Sequence, residues 1–131
     1  MDILIESTKT LIRSVHERSY FEKAPQRDPA TGLSPAYPYV TFVFPSSNAV
    51  FRREDFILEV DLWGNDPDTT ALEELTSAVD AVLDRKMVFI KNELAVRFYR
   101  VNRSMIPDPD DRLRHRQLRY ECKTYLETYF V

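Results

Sequence analysis

Glycine is almost missing from this chain of 131 residues, occurring only at Gly32 and Gly64. A glycine-rich turn that wraps phosphate oxygens in successive backbone N–H groups therefore cannot be built, which excludes the common nucleotide-binding loops. Cysteine occurs once, at Cys122, so no internal disulfide can form, as in proteins of a reducing compartment such as a bacterial cytoplasm. The two histidines, His16 and His115, have no second His or Cys at ligand spacing, and a surface role is expected for both rather than zinc binding. Long apolar runs are absent too. No stretch approaches the roughly 20 residues needed to span a bilayer, and residues 1–15 alternate polar and apolar positions unlike a signal peptide, so a soluble, unprocessed protein is expected. Nor does one sign of charge dominate. With 18 basic and 21 acidic residues the net charge is -3, which removes any global field for nucleic acid or an anionic membrane.

What is present is a globular composition. Hydrophobic residues make up 44% of the chain, enough for one core and hence for a single domain over residues 1–131. Eight Phe, seven Tyr and one Trp favour strands. Ile5, Thr8, Ile12 and Val15, with Leu4 and Leu11 beside them, recur at steps of three and four and predict a helix over 3–17. Residues 22–38 contain Pro25, Pro29, Pro35, Pro38 and Gly32 and predict a long exposed loop of the kind that often serves in binding.

Strand patterns follow. Residues 39–44 are β-branched and aromatic, closed by Pro45 and a turn at Ser46, Ser47 and Asn48. Residues 50–63 place Phe56, Leu58, Val60 and Leu62 on one face, so the two runs predict an antiparallel pair. Gly64 ends that strand, and Asp66 with Pro67 predicts the cap and first turn of a second helix. Its buried stripe would be Leu72, Leu75, Val79, Val82 and Leu83, with Glu73, Glu74, Asp80 and Asp84 toward solvent and an end near Arg85 or Lys86. Two further strands are expected over 94–105 and 116–129, joined by a loop at 107–111. The sum is an α+β fold in the order α-β-β-α-β-β: an antiparallel or mixed sheet of about four to five strands with two helices packed on it.

Catalytic chemistry finds little support. Cys122 lies on the apolar parity with Leu118, Tyr120 and Leu126, the position of a buried inert thiol. Asp108, Asp110 and Asp111 are the nearest approach to a hard-cation site, yet they lack the Gly and the closing Glu of a calcium loop, and a turn or subunit contact is the plainer reading. The basic segment Arg112, Arg114, His115, Arg116 and Arg119 follows directly. It could be a nucleic-acid patch, but no aromatic residues interleave it and the adjacent carboxylates offset its field, which favours a solvated or subunit-contacting segment. An acidic loop beside a basic one can pair with the opposite patch on an identical neighbour in a head-to-tail ring. Phe51, Trp63 and Tyr129 are candidate contact anchors as much as candidate core or edge residues.

The order of segments resembles the tail completion, or tail-to-head joining, family of long-tailed phages and prophages. The resemblance runs through the N-terminal helix, Ala24-Pro25, Tyr37-Pro38-Tyr39-Val40, the stretch from Glu59 to Trp63, the second helix, Asp110-Asp111 and the long last strand. It implies a fold similar to tail terminators and a protein that is monomeric when free. On the tail it would form a ring, typically hexameric, at the head-proximal end, stopping tube polymerisation and docking to neck proteins. Implied partners are further copies of itself, the tail-tube protein and a head-neck connector protein, with DNA passing through the lumen. No cofactor, small-molecule substrate or membrane partner is implied, and no catalytic residues. Implied locations are the virion and, during assembly, the host cytoplasm. Candidate contacts are Pro25, Pro29, Asp110, Asp111, Arg112, Arg114 and Arg116. Another neck or head-closure connector, or a nucleic-acid-binding accessory protein, would share the composition.

Overall fold

A computed structural model describes residues 2–23, 36–50, 53–91 and 94–126, without the side chains of Val50, Arg53, Lys91, Leu94 and Leu126. The elements run α1 (Asp2–Arg13), β1 (Ser19–Phe21), β2 (Tyr39–Val50), β3 (Arg53–Gly64), α2 (Thr70–Leu83), β4 (Met87–Lys91), β5 (Leu94–Ile106) and β6 (Arg114–Leu126). They form one six-stranded sheet in the order β1-β2-β3-β6-β5-β4. The expected α+β class and the two helices hold, but the sheet has six strands where four to five were expected.

Both added strands are short. Their β-forming residues give too few positions for a period to register, and each is an edge strand defined by its neighbour. β1 pairs in parallel with β2, which makes the sheet mixed. A parallel pair cannot be closed by a tight turn and needs a connection of about a dozen residues or more. Residues 22–38 are that connection, so the length of the Pro-rich loop has a topological cause besides any binding role. β4 follows α2 through Arg85, whose φ of 65° turns the chain back, and Arg85 N–H donates to Phe98 O while Phe98 N–H donates to Lys86 O.

Three local expectations are corrected. β2 does not stop at Phe44 but runs through Pro45 to Val50. Its pairing with β3 skips from Val43↔Glu59 to Ser46↔Ile57, so Pro45 sits in a bulge, where its missing N–H interrupts no ladder bond. The second helix begins at Thr70, not beside Pro67. Asp66 accepts the N–H of Asp68 at 2.9 Å, and Asp68 accepts both the N–H and the hydroxyl of Thr70 at 3.0 and 2.7 Å; these local turns compete with helix and delay its start. α1 stops at Arg13, and Val15, placed on the buried stripe, is exposed.

Apolar parity and burial agree elsewhere. Leu58, Val60 and Leu62 of β3, Leu118, Tyr120 and Cys122 of β6, and Val96 and Phe98 of β5 are fully buried under Leu4 and Ile12 of α1 and Leu72, Val79 and Leu83 of α2. Both helices lie on this one face. None of the described helices is long and apolar enough to cross a membrane.

Candidate assembly surface

Helix α2 is held on the sheet by a polar seam as well as by its apolar stripe. Glu73, Ser77, Asp80 and Asp84 are four, three and four residues apart, which aligns them on one side of a helix. That side meets strands β5 and β6. Glu73 accepts Arg103 Nη2 at 2.8 Å and also Arg116 Nε, while Arg103 Nη1 donates to Ser77 Oγ at 3.0 Å. Asp80 accepts Tyr120 Oη at 2.6 Å and Arg100 Nη1 at 2.8 Å, and Asp84 accepts the Arg100 N–H at 2.9 Å. Glu73, Asp80 and Asp84 thus leave the solvent face assigned to them by helical periodicity, because their partners come from strands that the helix pattern cannot see. The bond from Arg116, with Arg103 adding to it, holds the Glu73 carboxyl below its usual range. Burial, with Asp80 alongside, pushes the Tyr120 hydroxyl up.

The opposite face of the sheet carries a ladder of cross-strand side chains. Trp63 and His115, paired in register, stack with centroids 3.8 Å apart and planes 16° from parallel. His115 Nε2 hydrogen-bonds Asp61 Oδ1 at 2.6 Å, and Gln117 Nε2 donates to the same oxygen at 3.1 Å. Arg119 Nη1 donates to Glu59 at 2.6 Å. Tyr39 lies 6.4 Å from the Trp63 ring and 5.2 Å from that of Tyr37, extending an aromatic strip to the end of the sheet. His115 is only 8% exposed, which corrects its surface assignment: strand β6 begins two residues earlier than expected and carries it into the ladder. His16 is half-buried, its Nε2 2.8 Å from Pro38 O, and its pKa is lowered mainly by burial.

The acidic loop and basic segment meet at this same end. Asp108 accepts the N–H of Asp110 at 2.8 Å. Asp110 grips Arg112 through both carboxylate oxygens, at 3.0 Å to Nε and 2.9 Å to Nη2, and also accepts its N–H. Those bonds hold the Asp110 carboxyl down to about 2. Arg114 Nη1 donates to Asp111 O at 2.6 Å. Among the described residues no three His, Cys, Asp or Glu side chains converge on a point that would hold a metal ion. Arg116 does not belong to an exposed cluster: it is 8% exposed and lies beneath α2, bonded to Glu73. The sequence contained a signal for this, since Arg116 shares the inward parity of Leu118 and Tyr120. Pro25, Pro29, Phe51 and Tyr129 lie outside the described residues. Cys122 is fully buried, and burial pushes its thiol up.

A family model described as Tail completion protein gp17 matches residues 9–125. The chain belongs to the tail completion protein gp17 family. It is thereby a structural protein of phage tails. The end of α1, all of α2, strands β1 to β5, β6 up to its last residue and the whole acidic-basic loop fall inside the matched span. A solved chain from "Virion of native gene transfer agent (GTA) particle" superposes with a TM-score of 0.62 at 10% identity, over 87% of this chain and 84% of that one. A second solved structure superposes with a TM-score of 0.64 at 14% identity, covering 94% of each chain. At such identities these neighbours establish the fold of this family member and nothing finer. No curated protein matches the sequence significantly.

Proposed function

We propose that this tail completion protein forms a ring at the head-proximal end of the tail, where it ends tube polymerisation and joins the tail to the head. The observation that carries the reading is the family match over residues 9–125. The virion origin of one structural neighbour supports it. In this reading residues 1–131 act as a single domain with no catalytic step, and the partners are neighbouring copies, the tail tube and a neck connector. The Pro-rich loop 22–38 contacts the neighbouring copy in the ring. Pro25 and Pro29 are the contact candidates within it. The site of action is the virion, after assembly in the host cytoplasm.

Asp110, Asp111, Arg112 and Arg114 are the proposed charged contacts between neighbours. Arg114→Glu should weaken ring formation and Asp111→Arg should restore it; a restored fold without restored rings would remove this contact from the reading. The decisive experiment is deletion of the protein from a producing phage. Overlong tubes and unjoined heads are expected by electron microscopy, whereas tubes of normal length that still join heads would overturn the reading. A nucleic-acid-binding role is disfavoured by the intrachain partners of Arg112, Arg116 and Arg119, which leave the basic segment largely neutralised. Salt-insensitive absence of filter binding to DNA is the expected result.

A further inference from the structure

Among the described residues the sheet has two edge stretches with no strand beside them, and we propose that they join in the assembled ring: the free part of β5 in one copy pairs antiparallel with the free part of β2 in the next. This inference rests on the ring reading and specifies how the copies would meet.

The short edge strands create the opportunity. β1 covers β2 only at Val40, Thr41 and Phe42. β4 covers β5 only between Leu94 and Arg97, and the chain before it occupies the edge as far as Phe98 and Arg100. Beyond these points, among the described residues, no strand lies beside 46–49 of β2 or 102–106 of β5. The register fixes where these gaps sit. Tyr39 pairs with Trp63, Trp63 with His115 and His115 with Ile106, so the covered start of β2 and the uncovered finish of β5 share one end of the sheet. The gaps are therefore at diagonally opposite corners. A neighbour displaced by about half a strand would bring them together while each short edge strand overhangs the other copy.

Direction fits as well. Each step from β2 to β3, β6 and β5 is antiparallel, so β2 and β5 run in opposite senses. Two copies in the same orientation would meet antiparallel, and a contact between different surfaces of like-oriented copies is the head-to-tail kind that closes rings. Side chains support the match. Val101 and Met105 are 59% and 70% exposed along the free part of β5, an apolar liability on a sheet edge unless it is covered. Opposite them would stand Ser46, Ser47, Asn48 and Ala49, small enough for close backbone approach. The bulges at Val43/Ser46 and at Arg100/Asn102, with Pro45, twist both edges and restrain indiscriminate pairing of free chains.

The test is disulfide trapping on tail tubes. Ser46, Asn48, Asn102 and Ser104 all lie on the face away from the helices, and buried Cys122 leaves no competing exposed thiol. Chains carrying Asn48→Cys with Asn102→Cys, or Ser46→Cys with Ser104→Cys, should give a ladder of covalent multimers on mild oxidation, and the single variants none beyond a dimer. In parallel, Val101→Lys with Met105→Lys should leave the circular dichroism and melting of the free chain unchanged but abolish rings on tubes. Rings that persist in the lysine variant, with no ladder from either cysteine pair, would overturn the edge pairing while leaving the ring reading intact. Wild-type protein that caps tubes without forming a ring would overturn both.

Discussion

The two faces of the sheet are built on different principles. On the helix face, apolar side chains from β3, β5 and β6 disappear under α1 and α2, and charged side chains form the seam that pins α2. The other face has no described helix over it and relies on cross-strand partners, Trp63 on His115 and Glu59 on Arg119 among them. The difference teaches that stability and specificity are located separately. Burial of area stabilises the first face, whereas the second holds its register through directional pairs that contribute less each and remain partly accessible to a neighbour.

The sharpest break of that comparison is at the core. Phe98→Ala, which empties a fully buried site, should cost about 3–5 kcal/mol in chemical denaturation. Next comes the seam. Glu73→Ala leaves the Arg116 side chain, 9% exposed, without its anion; because Glu73 itself is 42% exposed, the roughly 3–5 kcal/mol for breaking a buried pair is discounted to about 1–2 kcal/mol.

The seam also has a pH signature. Glu73 titrates below its ordinary value of 4.5 in the fold, so its contribution is present above that pH and is lost as the pH falls through the depressed value. The acid limb of a melting-temperature profile should therefore flatten in Glu73→Gln; an unchanged limb would show that the pair does not set it.

The open face should respond more weakly. Asp61→Asn disturbs the bonds to His115 and Gln117 and should cost about 1 kcal/mol, with a shifted His115 ring signal by NMR. A larger loss than that of Glu73→Ala would reverse the ranking of the faces. Smallest of all, Arg112→Ala removes an ion pair at the exposed rim and should leave the melting temperature unchanged.

How far the fold can be read in one dimension varies with the element. The parity of Leu58, Val60 and Leu62, and of Leu118, Tyr120 and Cys122, predicts the buried face because alternation is a local consequence of strand geometry. The stripe of α2 is legible for the same reason. The polar seam and the ladder on the open face are not, since Glu73 and Arg116 are 43 positions apart and Asp61 and His115 are 54 apart. A helical pattern shows that Glu73 lies off the apolar stripe, and only the neighbouring strands decide whether solvent or an arginine waits there.

The sequence by itself determined the element types over most of the chain, the inward parity and the burial of the lone cysteine, because each follows from a short-range period or a composition. Tertiary structure alone decided the strand order β1-β2-β3-β6-β5-β4, the parallel edge that requires the long connection, the burial of His115 and Arg116 and, among the described residues, the two edge stretches with no strand beside them. Hydrophobic periodicity encodes which side of a strand faces the core and carries no information about which strand lies next to it.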